Sequence, residues 1–202
     1  MNSSLATLAV VAGAYLVGSV SFAVVASRLF KLPDPHSYGS GNPGATNVLR
    51  TGNKAAAALT LAGDAAKGAF AVWLVGRLGA MWGEHDLAAA GAAIAVFLGH
   101  LYPVFHRFLG GKGVATAAGV AFALAWQLGA AVLAVWIAFA ALFRMASLAS
   151  LAAALAAPPL AFYLLGNVPQ AWALVPIALL MFWRHRANIQ RLASGTEPKF
   201  GA

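Results

Sequence analysis

Apolar residues in this chain come in long runs, not in the three-and-four spacing of a helix with one wet face. The runs are Leu5–Ser27, Ala55–Val75, Leu87–Pro103, Val114–Phe143, Leu148–Leu165 and Ala171–Trp183. A helix needs about 20 apolar residues to cross the hydrocarbon of a bilayer. Lipid offers backbone N–H and C=O groups no partner, so spanning segments are helices or closed barrels. These runs are too long and too apolar for barrel strands. The pattern predicts an all-α, polytopic membrane bundle forming a single domain over residues 1–202. The run Val114–Phe143 fits two descriptions: one steeply tilted helix, or two short ones turning near Gln127 and Gly129.

Charge resolves that choice. Thirteen Lys and Arg stand against five Asp and Glu, a formal net charge of +8. Charged residues are 9% of the chain and hydrophobic ones 61%, against about 25% charged in a soluble domain. A soluble enzyme and a disordered chain are excluded. The partner expected of this basic excess is the lipid bilayer, not nucleic acid, and no obligate protein partner is evident. Cytoplasmic loops concentrate Lys and Arg. With seven spans, the N-terminus outside and the C-terminus cytoplasmic, Arg28, Lys31, Arg50, Lys54, Arg107, Lys112, Arg144, Arg184, Arg186, Arg191 and Lys199 all fall inside. Only Arg77 then lies in an outer loop. With six spans the last four would change sides. The sequence therefore predicts seven transmembrane helices, Val114–Phe143 being divided into two of about 15 residues that need local thinning or burial in the bundle. No basic residue precedes Leu5, which argues against a secretory leader. The absence of Cys removes disulfides, thiolate metal sites and a thiol nucleophile.

Polar residues gather in Pro33–Lys54, His100–Gly113 and Arg184–Lys199, all cytoplasmic in this topology. A protein that only packs helices has no need of that, so one shared site at that face is expected. The first stretch holds Tyr38-Gly39-Ser40-Gly41-Asn42-Pro43-Gly44-Ala45-Thr46-Asn47-Val48-Leu49-Arg50. Its glycines match G-x-G-x-x-G, but no strand or βαβ unit surrounds them, so a dinucleotide site is rejected. Glycines still let N–H groups converge on a phosphate ahead of a helix N-terminus. Ser40, Asn42, Thr46 and Asn47 add neutral hydrogen-bond partners, and Arg50 a bidentate clamp. The second stretch, Gly110-Gly111-Lys112-Gly113-Val114-Ala115-Thr116, lacks the spacing and the Ser or Thr of a P-loop. It still brings an ammonium and bare backbone to an anion. In the third, Arg184, Asn188 and Arg191 share one face of a helix, His185 neighbours Asn188, and Gly195 suits a helix end. Each stretch also has a plainer reading: a capped loop, a positive-inside lysine, a basic tail on anionic lipid.

Asp64 and Lys67 lie three apart in the second span, as a functional pair or a purely structural one. Arg144, Ser147 and Ser150 are placed near a cytoplasmic turn. The five acids and five histidines show no spacing of a metal cage or carboxylate dyad, so no metal is expected. No serine sits in G-x-S-x-G. What is plentiful is anion-binding apparatus beside an apolar bundle. It suits a phosphate joined to an apolar chain, with catalysis by positioning and charge neutralisation.

Together, Gly39–Asn47 with Arg50, Gly110–Thr116 and His185-Arg186-Ala187-Asn188-Ile189-Gln190-Arg191-Leu192 resemble the three motifs of the bacterial acyl-phosphate:glycerol-3-phosphate acyltransferases, the PlsY type. Their length, order and spacing agree over essentially the whole chain, with Pro43 a bulkier variant in the first loop. Asp64–Gly68 and Arg144–Ser150 also fit the pattern. The resemblance implies that the sn-1 hydroxyl of glycerol 3-phosphate attacks an acyl phosphate, giving lysophosphatidic acid and inorganic phosphate. It implies the first acylation of phospholipid synthesis, at the cytoplasmic face of the inner membrane, with no metal, nucleotide or other cofactor in the transfer. The residues then take roles. The catalytic set is Ser40, Lys112, His185 and Asn188. Gly39, Gly41, Asn42, Gly44, Ala45, Thr46, Asn47, Arg50, Gly111, Gly113, Arg144, Ser147, Arg186 and Arg191 are expected to bind substrate. Either His185 or a substrate phosphate takes the hydroxyl proton, and the substrate-assisted route is favoured. The alternative from another class is a membrane transporter of a phosphorylated anion, against which the lack of an inverted repeat counts.

Overall fold

The computed structural model describes residues 3–200. Among them the regular structure is helical throughout: α1 (Ser3–Gly18), α2 (Phe22–Leu29), α3 (Ala45–Leu49), α4 (Lys54–Ala80), α5 (His85–Leu101), α6 (Val114–Leu124), α7 (Trp126–Phe143), α8 (Ala146–Leu165), α9 (Pro169–Arg184) and α10 (Arg186–Ala193). A single 3-10 turn, Val104–His106, follows α5. Five stretches are long and apolar enough to cross a membrane: Ser3–Leu29, Lys54–Ala80, His85–His106, Trp126–Phe143 and Ala146–Leu165. α6 and α9 are apolar but shorter, at 11 and 16 residues.

Two expectations about the runs are corrected. The first run is not one continuous helix, because it breaks at Ser19–Ser21. Gly18 passes so close to the Val96 backbone of α5 that a Cβ would overlap its carbonyl. The Ser21 hydroxyl then restarts the chain as the cap of α2, accepting from the Val24 N–H at 3.4 Å. The run Val114–Phe143 is two helices, as charge parity required, but they are unequal. The turn is a single extended residue, Ala125 at φ −160°. Gln127 and Gly129 therefore lie in the first turn of α7, not in the hairpin.

Small residues set the packing. α5 runs through the centre, against α1, α4, α6 and α9. Its Ala88, Ala92, Ala93, Val96 and Phe97 are fully buried. On the α4–α6 seam, a Cβ on Gly119 would overlap the Ala65 carbonyl and one on Gly68 the Thr116 carbonyl. Between helices in lipid, such close approach supplies the dispersion contact that water exclusion cannot. Bulky Leu61, Phe70, Trp73, Ile137, Leu155 and Leu179 project outward, as a lipid-facing surface requires.

Candidate active site

The first loop is held from inside by one side chain. Asn47, buried on α3, accepts at Oδ1 from the Ser40 N–H (3.0 Å) and the Ser40 hydroxyl (3.3 Å). Its Nδ2 donates to the carbonyls of Pro35 (2.9 Å) and Tyr38 (3.2 Å). Asn47 thus spends its hydrogen bonds inside the loop, shaping it, with none aimed outward. Gly39 and Gly41 take left-handed φ of +59° and +64°, which only glycine adopts without strain. Gly44 is extended and precedes the five residues of α3, so Ala45 and Thr46 form its first turn. Ser40, Thr46 and Arg50 stay exposed and Asn42 half-buried.

The second loop is clamped between the first and third. His36 Nε2 lies 3.0 Å from the Leu109 carbonyl, and a Cβ on Gly111 would stand 3.0 Å from the Pro43 carbonyl. Gly113, at φ +81°, rests on the Phe97 ring. From the other side, Arg184 donates to the carbonyls of Gly111 (Nε, 3.1 Å) and Gly110 (Nη2, 2.6 Å) and lies over the Tyr102 ring at 5.7 Å. Lys112 emerges from this clamp and donates to Asn188 Oδ1 at 2.5 Å.

In the third stretch the helix breaks at His185, so the expected single helical face does not form. Arg184 ends α9 and grips the second loop, while Asn188 and Arg191 belong to α10. Asn188 Nδ2 donates to Glu197 Oε1 (2.6 Å) and Arg191 Nε to Glu197 Oε2 (2.7 Å). Glu197 reaches them because Gly195, at φ +70°, turns the tail back after α10. The tail also exchanges bonds with Arg144. The Phe200 N–H donates to the Arg144 carbonyl (2.7 Å) and Arg144 Nη2 to the Phe200 carbonyl (3.1 Å). Ser147 is buried beside Glu197.

Lys112, Asn188, Arg191, Gly111 and Gly113 are therefore brought together, with Arg50 near enough to act on the Lys112 charge. Arg186 is not among them: it is exposed and stacks on Trp183 at 5.0 Å. Arg144 is occupied by the tail. Arg184 and Glu197 are additions to the candidate set.

Burial pushes the Lys112 ammonium down to about 8, against a smaller upward pull from Glu197 and with Arg191, Arg184 and Arg50 adding to the depression. Four cations thus converge where an anion would relieve them. His185 is 2% exposed. Burial pushes it down to about 4; the Met181 carbonyl counters this in part, and Lys112 adds to the depression. The ring is neutral at neutral pH. A carbonyl only accepts, so Nδ1 carries the proton it gives Met181 at 2.8 Å, leaving Nε2 bare. For Glu197, burial raises the carboxyl, but Ser147, Asn188 and Arg191 outweigh it and hold it below the usual range. If cationic Lys112 meets the substrate, kcat/KM falls about tenfold per pH unit above about pH 8, as the free enzyme loses that proton. Lys112→Arg removes this basic limb, since guanidinium does not titrate there. A pH profile on both proteins checks it.

Residues 8–195 match the family described as glycerol-3-phosphate acyltransferase. A glycerol-3-phosphate acyltransferase of Ralstonia nicotianae is 56% identical over 201 residues, covering 100% of this chain and 97% of the relative. One from Burkholderia thailandensis is 59% identical over 203 residues, with 100% and 97% covered. Among solved structures, the glycerol 3-phosphate form of PlsY (YgiH), an integral membrane glycerol 3-phosphate acyltransferase, superposes with a TM-score of 0.89 at 37% identity, covering 96% of each chain. The lysophosphatidic acid form of the same protein gives 0.87 at 37% identity, covering 96% of this chain and 95% of that one.

Proposed function

The chain belongs to the glycerol-3-phosphate acyltransferase family and is a multi-pass membrane acyltransferase, and on that premise we propose that it takes its acyl group from an acyl phosphate and places it on the sn-1 hydroxyl of glycerol 3-phosphate. The related structure's forms with glycerol 3-phosphate and lysophosphatidic acid supply the acceptor and product. The convergence of all three polar stretches on Lys112, 2.5 Å from Asn188, carries the reading. Arg191 is already paired with Glu197, which leaves Lys112 and Arg50 for two phosphates, one on each substrate. The neighbouring bilayer is where the apolar chain of the donor and product resides.

In this reading the first loop, kept open by Asn47, presents Ser40 and backbone N–H groups to the donor phosphate. Lys112 and Arg50 neutralise the two phosphates, and Asn188 orients the acceptor beside Ser40. The hydroxyl oxygen attacks the acyl carbonyl carbon, and the bond from that carbon to the phosphate oxygen breaks. The departing phosphate takes the hydroxyl proton, so the products are the ester and inorganic phosphate. The proton goes there because His185, held down to about 4, is a weaker base than a phosphate whose second pKa is about 6. His185 then binds and does not relay. Seven spans, with the N-terminus outside and the site on the cytoplasmic face of the inner membrane, complete the proposal. The basic loops support that orientation.

One experiment tests donor, base and sidedness. Membrane vesicles of both orientations receive palmitoyl phosphate and glycerol 3-phosphate without added metal. Equal amounts of phosphate and lysophosphatidic acid are expected, from inverted vesicles only, because the acceptor does not cross lipid. Product from a thioester but not from palmitoyl phosphate would sink the donor assignment. Uptake of unchanged glycerol 3-phosphate would indicate transport. His185→Gln is expected to raise KM and keep measurable turnover. Loss of kcat at unchanged KM would make His185 the base.

A further inference from the structure

We propose that Asp64, Lys67 and His100 form a positioning network beneath the Gly110–Lys112 loop that sets Lys112 against the substrate phosphate. The inference rests on the placing of Lys112 in the substrate site, and assigns work to groups that site does not contain. Asp64 and Lys67 lie on α4 with side chains only 3% exposed and 2.8 Å apart. A pair that merely balanced itself would end there. Instead Lys67 Nζ also donates to the Val20 carbonyl at 2.6 Å. That carbonyl lies in the break between α1 and α2. Asp64 Oδ1 also faces His100 Nδ1 at 3.6 Å, and the same nitrogen shares a hydrogen bond with Thr116 Oγ1 at 3.1 Å. One buried cluster therefore joins the α1–α2 break, α4, α5 and α6.

Its outer side is the catalytic loop. The His100 carbonyl accepts from the Gly111 N–H at 3.2 Å. A Cβ on Gly111 would overlap the His100 ring, and one on Gly110 the His100 carbonyl. Thr116 sits in the first turn of α6, directly after the loop. The loop is therefore held below by His100 and at its exit by the residue His100 bonds. Lys67, His100, Pro43, Gly110 and Gly111 line one crevice too narrow for a water molecule, and the His100 ring packs directly against Gly111. Charges buried between membrane helices are costly and need a compensating use. Fixing the loop to within an ångström is such a use, because a shift of about 1 Å takes the Lys112 ammonium out of charge-assisted hydrogen-bond reach of the substrate phosphate and so weakens binding.

The test compares His100→Phe, which keeps a ring without nitrogens, with His100→Asn, which keeps a donor and an acceptor near the reach of Nδ1. Steady-state kinetics for glycerol 3-phosphate and thermal unfolding are measured on each. His100→Phe is expected to raise KM about tenfold or more, and His100→Asn to return it to within about threefold. A merely structural network would lower the fraction of active enzyme, and so kcat, and leave KM alone. An unchanged KM in folded His100→Phe overturns the proposal. So does an equal rise in both variants. Should His100→Phe not fold, Thr116→Val removes the partner hydroxyl at equal volume, and the same KM rise or its absence decides. A parallel Lys112→Met keeps the two inferences apart, because wild-type kinetics there would remove Lys112 from the site instead.

Discussion

Lys112→Met is expected to lower kcat/KM by about a thousandfold and to leave the bundle folded. The ammonium is half-buried, its pKa pushed down to about 8 first by burial and then by three arginines. Its removal therefore relieves a desolvated cation. The folded state loses one hydrogen bond to Asn188, about 1 kcal/mol net, while the methionine stem keeps the packing. The transition state loses much more. A phosphate left without its partner in a desolvated pair costs about 2–5 kcal/mol, and each 1.4 kcal/mol is about tenfold. Loss of a single preorganised donor at a developing charge has a comparable size. The check is product formation by mass alongside thermal unfolding. Retention of activity to within tenfold, in a folded variant, would place the substrate phosphates elsewhere.

The parts of this molecule legible in the sequence are those set by one dominant force. Hydrophobic runs located the helices because lipid excludes every other backbone solution, and the positive-inside rule, applied to the sequence, divided Val114–Phe143 into two helices, as the structure does. The breaks were less legible. At Ser19–Ser21 the carbonyl of Val20 is taken by Lys67, a residue far away in the chain. No local pattern announces such a contact, although Ser21 as a helix cap was a readable hint. The division at Ala125 likewise has no Gly or Pro to mark it. The three polar stretches were readable as one cluster, and they do meet in space, yet the contacts within them were not readable. Asn47 and Arg184 look like ligands by residue type, and both are turned onto backbone carbonyls or N–H groups of the loops. Arg186 and Arg191 look alike in sequence, but they leave different faces of α10, one onto Trp183 and the other to Glu197. Glu197 stood in plain sight after Gly195. Its signal was the left-handed glycine that reverses the tail, not the carboxylate itself.

Gly39→Ala is expected to cost about a hundredfold in kcat/KM, and Gly41→Ala only about tenfold. Both glycines are left-handed, at φ +59° and +64°, so an alanine at either carries a strain of about 1–2 kcal/mol. They differ in what the new methyl meets. At Gly41 the nearest atom is the His36 carbonyl, at 3.4 Å, an ordinary contact. At Gly39 the methyl overlaps Asn47 Oδ1 and crowds the Arg50 side chain at 3.1 Å. Asn47 cannot retreat cheaply, because its amide holds Ser40, Pro35 and Tyr38 at once. Displacing it breaks bonds of about 1 kcal/mol each and leaves buried polar groups unpaired. The substitution therefore disorders the loop that presents Ser40 and, at most, the short α3 that carries Asn47, while the long helices of the bundle keep their packing. Thermal unfolding near that of the parent, with kcat/KM reduced in the order Gly39 before Gly41, is the expected result. Equal losses at the two positions would mean that backbone strain alone matters and that Asn47 is not the latch of the loop.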